Sequence, residues 1–121
     1  MPVILHVDDE EVIRLLYREV FEERGHEVIQ ASSGEEALDL LSESSPDLII
    51  LDLKMRGIGG RGFLEEFHRL KLSIPVVVST AYPHEMQELV AQSADAYVVK
   101  SGDMTELVDM VEGLLAKVPR A

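Results

Sequence analysis

Four short apolar runs in this sequence end in residues that could bind and attack an anion. Asp8 and Asp9 follow Val3–Val7, Asp52 follows Leu48–Leu51, Thr80 follows the Val76–Ser79 stretch, and Lys100 follows Ala96–Val99. Singly, each has an ordinary explanation: an Asp there caps a helix, a Thr sits in a turn, a Lys is solvated. Gathered on one edge of a sheet they need another, because three converging carboxylates repel and raise one another's pKa values. A hard divalent cation resolves that conflict; Mg2+ takes oxygen ligands from one or two carboxylates, water and phosphate. The lysine and the hydroxyl then become partners for an anion carried by Asp52, one as a point charge, the other through a hydrogen bond. A carboxylate in such a setting is a nucleophile toward phosphorus and gives an aspartyl-phosphate. Metal and lysine would stabilise the charge on the equatorial oxygens.

That convergence requires a particular scaffold. Asp47–Asp52 (Asp-Leu-Ile-Ile-Leu-Asp) reads as a strand buried on both faces, the centre of a parallel sheet, with Asp52 emerging at the carboxyl edge where open α/β folds keep their sites. Around it, strands at Val3–Val7, Glu27–Ala31, Ile74–Val78 and Ala96–Val99 alternate with five helical patterns. The first helix has apolar residues at Val12, Ile13, Leu16, Val20 and Phe21 and stops at Gly25, a left-handed cap. Ser33-Gly34-Glu35-Glu36 has capping-box spacing and opens the second, with Ala37, Leu38 and Leu41 inward. Phe63, Leu64, Phe67 and Leu70 form the stripe of the third, and His84–Gln92 the least apolar helix. Asp103-x-x-Glu106 is a second capping box, followed by Leu107, Val111, Leu114, Leu115 and Val118. Strands alternating with helices through short connections predict an α/β doubly wound parallel sheet, with the more polar Glu27–Ala31 at an edge.

At 121 residues the chain is expected to be one domain spanning 1–121. Its net charge of −12 argues against nucleic acid or an anionic membrane as a direct partner. No cysteine is present, so disulfides, thiolate nucleophiles and cysteine zinc sites are excluded. The four histidines (6, 26, 68 and 84) make no metal pattern. No apolar run reaches the roughly 18 residues of a membrane helix, and the Met1–Leu5 start has no signal character; a cytoplasmic setting is expected. Gly57-Ile58-Gly59-Gly60-Arg61-Gly62 spells the dinucleotide fingerprint. Its first glycine lies five residues past Asp52 rather than at the strand end, and no acidic ribose ligand ends the next strand, so a nucleotide-binding α/β domain is the weaker alternative.

The acidic pair Asp8-Asp9, Asp52-Leu53-Lys54-Met55, Thr80-Ala81 and Tyr97-Val98-Val99-Lys100 together resemble the receiver domain of two-component response regulators, of the chemotaxis-regulator and sporulation-phosphorelay type. The likeness covers essentially the whole chain. It implies a flavodoxin-like sheet of strand order 2-1-3-4-5 with five helices, and a Mg2+ (or Mn2+) cofactor. It implies Asp52 as phosphoacceptor, with metal held by Asp8, Asp9, Asp52 and the backbone carbonyl of Lys54. Thr80 would bind the phosphoryl group, Lys100 would pair with it, and Tyr97 would be the aromatic switch. Lys54 and Tyr82 occupy the positions that govern access of hydrolytic water, and their bulk implies slow autodephosphorylation. The implied partners are a sensor histidine kinase or phosphotransfer protein and a downstream target or output domain. Such a domain is a signalling phosphoacceptor rather than an enzyme with an external substrate. A degenerate receiver acting only as an interaction module is the other alternative, and no site residue is lost to support it. The chain departs from the family pattern at Arg56, Gly59 and Ser101; the first and last stand where proline is usual. With serine there, a trans Lys100–Ser101 peptide is expected.

Overall fold

Leu48, Ile49, Ile50 and Leu51 have no solvent exposure at all, and they form the middle strand of the sheet. The computed structural model describes residues 1–81, 94–100 and 103–117. Within them, β1 (Val3–Val7), β2 (Glu27–Ala31), β3 (Leu48–Leu51), β4 (Val76–Thr80) and β5 (Ala96–Val99) pair in parallel in the order β2-β1-β3-β4-β5. The polar β2 is an edge strand, as its sequence predicts. Helices α1 (Glu11–Glu23), α2 (Gly34–Glu43), α3 (Gly59–Arg69) and a last helix (Thr105–Leu115) complete the described elements. The helix expected around His84–Gln92 lies outside the described residues. No described helix is long and apolar enough to cross a membrane.

Strand alternation divides the core. Leu5, Val7, Ile49, Leu51, Val76 and Val78 meet Ala37 and Leu41 of α2 and Phe63, Leu64 and Phe67 of α3. On the other face Ile4, Leu48, Ile50 and Val77 meet Tyr17 and Phe21 of α1 and Leu107, Val108, Val111 and Leu115 of the last helix. Burial of this much aliphatic and aromatic surface on both faces drives the fold.

Three expectations about helix faces need correction. Val12 and Leu16 of α1 are exposed, at 76% and 39%, and the buried stripe runs through Ile13, Tyr17, Val20 and Phe21. The helix is apolar on two sides, so periodicity alone sets its phase wrongly, and Tyr17 is the residue that the sequence pattern undervalues. Leu70 ends α3 as a cap and is likewise exposed, because the chain turns away there through Lys71 at φ +54°. Asp103 accepts from the Thr105 backbone N–H (2.9 Å) and not in capping-box geometry. By contrast, Ser33 caps α2 by accepting from Glu36 N, while Glu36 Oε1 accepts from Ser32 N, one residue earlier than a strict box. Gly25 is left-handed (φ +88°) and closes α1 as predicted.

Candidate functional site

The β1–β3 register pairs Val7 with Leu51, so Asp8 and Asp52 leave their strands side by side. Asp52 N extends that ladder by donating to Val7 O (2.9 Å), and Asp8 N extends the β1–β2 ladder by donating to Ala31 O (3.1 Å). On the far side β4 pairs Thr80 with Val99, and Lys100 N donates to Thr80 O (2.6 Å). Residues distant in sequence therefore arrive at one edge because β1 and β3 end level and β4 and β5 end two residues further on. Glu10, Asp52, Lys54, Ala81 and Lys100 line a small open cleft there.

The charges are arranged about one ammonium. Lys100 Nζ donates to Asp8 Oδ2 at 2.8 Å and lies 3.6 Å from Asp52 Oδ1 and 3.9 Å from Glu10 Oε1. It sits between both aspartates, nearer Asp8, where sequence reasoning aimed it at Asp52 alone. Burial pulls its pKa down, yet the Asp8 hydrogen bond and the Asp8 and Asp52 charges outweigh that and hold it above the ordinary lysine value. Asp52 is 4% exposed, and burial pushes its carboxyl up to about 6, with Asp8 adding to the rise. Lys100 and the Lys54 N–H, which donates to Asp52 Oδ1 (3.3 Å), restrain it. Asp52 is thus elevated, by burial first and by its crowding with Asp8 only second. Asp8 Oδ1 also accepts from Glu10 N (2.9 Å), and Arg14 Nη1 donates to Asp8 O (2.8 Å).

Asp8, Asp9 and Glu10 each bring a carboxylate oxygen within 4.8 Å of the others. Glu10 was not among the residues singled out in the sequence, though the run Asp8-Asp9-Glu10 held the signal. Thr80 is fully buried at the end of β4. Tyr97 is 38% exposed on β5, opposite Val78 in register and away from the cleft lining. Lys54 is exposed and lines the cleft. Tyr82 and the Lys100–Ser101 peptide lie outside the described residues.

Beneath the site is a buried polar chain that the sequence did not announce. His6 stacks on Tyr17 with ring centroids 4.4 Å apart, and the Tyr17 hydroxyl hydrogen-bonds Ser79 Oγ (2.8 Å). Arg18 Nε donates to Gln30 Oε1, and Gln30 Nε2 donates to Arg14 O. That fixes the amide, so its nitrogen also faces His6 Nδ1 (3.3 Å) and the ring must accept there. His6 then carries its proton on Nε2, 3.9 Å from Asp8 Oδ2. Burial, reinforced by the Lys100 and Arg14 charges, lowers its pKa to about 3, so the ring is neutral.

A level row of aspartates at the carboxyl edge of a five-stranded parallel sheet, with a lysine between them, has known counterparts. The response regulator receiver domain family matches residues 4–112. Sporulation initiation phosphotransferase F of Bacillus subtilis is 36% identical over 114 residues, covering 93% of this chain and 92% of that protein. Response regulator SaeR of Staphylococcus aureus is 35% identical over 122 residues; the alignment takes in 99% of this chain but 53% of SaeR, so the chain spans about half of that relative's length. The response regulator TrrA of Thermotoga maritima, solved in complex with Mg(2+)-BeF, superposes with a TM-score of 0.88 at 41% identity, over 94% of this chain and 99% of that one. TrrA has also been solved in complex with the histidine kinase ThkA, with a TM-score of 0.87 at 41% identity over 95% and 99% of the two chains. The chain belongs to the response regulator receiver domain family.

Proposed function

We propose that this receiver domain, taken over 1–121, accepts a phosphoryl group on Asp52 from a histidine kinase or phosphotransfer protein. The observation that carries the reading is the buried Asp52 carboxylate sharing one lysine with Asp8, at 3.6 and 2.8 Å from its Nζ. A pKa of about 6 leaves Asp52 largely ionised at neutral pH, as a nucleophile must be. One of its oxygens forms the new P–O bond while the donor's P–N bond breaks and the imidazole departs with that electron pair. Lys100, held by Asp8, is placed to follow the charge onto the incoming phosphoryl oxygens. Thr80 supplies a hydroxyl partner on the neighbouring strand end, Tyr97 responds as an aromatic switch, and Lys54 and Tyr82 limit access of water.

The donor set fits Mg2+, or Mn2+ in its place: Asp8, Asp9, Asp52 and the Lys54 carbonyl offer hard oxygens and nothing softer. Bound there, the cation would supply positive charge against the transferring phosphoryl oxygens. TrrA, solved with Mg(2+)-BeF and with ThkA, supports both the cofactor and the kinase as partners. A downstream target or output domain receives the signal, in the cytoplasm. Incubation with a small phosphodonor and Mg2+ tests the reading by mass spectrometry. Wild type gains one labile adduct of about 80 Da, the mass of a phosphoryl group, and Asp52→Asn gains none. Labelling that persists in Asp52→Asn would sink the assignment.

A further inference from the structure

The segment that leads from Asp52 to α3 is held by close backbone contacts. A β-carbon at Gly60 would lie 2.5 Å from Leu53 Cα and 2.6 Å from Asp52 O, and Gly60 N donates to Leu53 O (3.1 Å). The first turn of α3 therefore touches the backbone of the acceptor residue and its neighbour directly. Where that turn sits decides where Asp52 and Lys54 sit.

The turn is placed in its own right by Ile58. This residue precedes α3, and its side chain, 40% exposed, lies against two glycines from different helices. A β-carbon at Gly34, the first residue of α2, would lie 2.8 Å from Ile58 Cγ1 and 3.0 Å from both Ile58 Cδ1 and Gly59 O. A β-carbon at Gly62, one turn into α3, would lie 2.7 Å from Ile58 Cβ. Neither glycine has the left-handed φ that would demand it, whereas Gly57 (φ +73°) and Gly59 (φ +68°) do. Inside a helix glycine costs roughly 0.5–1 kcal/mol relative to alanine, so Gly62, one turn into α3, is unfavourable on backbone grounds. Close approach of Ile58 accounts for both glycines. Ile58 is also β-branched and stiff at χ1, which limits the ways it can give to an added methyl.

We propose that Ile58, clasped between Gly34 of α2 and Gly62 of α3, is a positioning residue that sets the Asp52–Lys54 segment for cation binding and phosphoryl acceptance. The clasp joins α2 to the start of α3, and Gly60 carries that placement to Asp52. It deepens the function proposed above and rests on it. Hydrogen-bonding partners behind a metal's ligands typically change its affinity by about 10–100-fold when altered, and the low end of that range is the scale expected for a packing contact acting through Gly60.

The test compares Gly34→Ala, Ile58→Ala and the double variant in Mg2+ titration calorimetry and in amide hydrogen exchange without added metal. Gly34→Ala is expected to weaken Mg2+ about tenfold and to speed exchange of the Gly60 amide. Adding Ile58→Ala to Gly34→Ala makes room for the new methyl and should restore affinity to within about threefold. Ile58→Ala alone introduces no clash and loosens the turn, with a smaller loss of affinity. Val28→Ala, in β2 on the other face of the sheet, is the control: it lowers the melting temperature and leaves Mg2+ affinity unchanged. Gly34→Ala that stays folded and binds Mg2+ like wild type, or a double variant no better than Gly34→Ala, overturns the clasp. If Gly34→Ala does not fold, unchanged Mg2+ affinity and Gly60 exchange in Ile58→Ala overturn it equally. Wild type that neither binds Mg2+ nor takes up phosphoryl sinks the underlying function instead, a distinguishable result.

Discussion

The two faces of the sheet follow different rules. Against α2 and α3, the inward residues of β1 and β3 are aliphatic, and β4 departs from that only at its last residue, Thr80. Against α1 and the last helix, the same strands admit His6 and Ser79, and Asp8 and Asp52 continue that alternation into the site. One face supplies stability by burial; the other spends part of its burial on a hydrogen-bonded polar layer under the chemistry. His6, Tyr17 and Asp8 are tolerated there because each has a partner: His6 on Gln30, Tyr17 on Ser79, Asp8 on Lys100.

The sharpest break of this comparison is Phe63→Ala on the apolar face. Phe63 is fully buried and stacks with Phe67 at 5.9 Å, so its removal should cost about 3–5 kcal/mol in urea unfolding. A loss under about 1 kcal/mol would mean that this face is not the main source of stability.

Next in size is the pH dependence of the polar face. Asp52 is raised to about 6, so folding binds its proton more tightly than the unfolded chain does. Its contribution is full below about 3.8 and is lost as pH rises through 6. His6, lowered to about 3, has the opposite sign: its contribution is full above 6.5 and is lost as pH falls toward 3. The two slopes oppose each other between pH 4 and 6 by that linkage, about cancelling. Asp52→Asn should raise the melting temperature at pH 8 but not at pH 3.5, and should expose acid lability. His6→Leu should expose the reverse slope. Parallel profiles for wild type and both variants would contradict the buried placement of these groups.

Smaller again is Tyr17→Phe, which leaves Ser79 Oγ without its hydroxyl partner and should cost about 1–2 kcal/mol. Adding Ser79→Ala should return most of it, since removing both partners is nearly neutral. No recovery in the double variant would assign the loss to packing of the ring against His6. The smallest effect belongs to Leu70→Ser: half-exposed at the end of α3, it should change stability by less than about 0.5 kcal/mol. A larger loss would restore Leu70 to the core, where its spacing had placed it.

Particular residues explain what was legible in the sequence. The strands were, because runs such as Leu48–Leu51 are short, apolar and bounded by turn residues, and the strand order followed from the family resemblance. The places of Asp8, Asp52 and Lys100 at the sheet edge were legible, since a charged residue closing a buried strand has to lie at its end, although Asp8 and Asp52 are themselves buried there. Val12 and Leu16 were misplaced because α1 is apolar on two sides and only the packed sheet selects its phase. The His6–Tyr17–Ser79 layer was hidden because partners 62 residues apart leave no local trace in the chain. Gly34 and Gly62 looked like ordinary helix and loop glycines until Ile58 gave them a reason.

The Lys100–Asp8 bond joins residues 92 apart in the chain. Non-local contacts are bought late in folding, because loop closure must precede them. The ammonium can reach its carboxylate only after β1, β3, β4 and β5 have docked in register. A chain with one crossover missing has helices, hydrophobic surface and all its acidic residues, but no Lys100 beside Asp8. On the function proposed above, competence to accept a phosphoryl group is therefore coupled to completion of the fold.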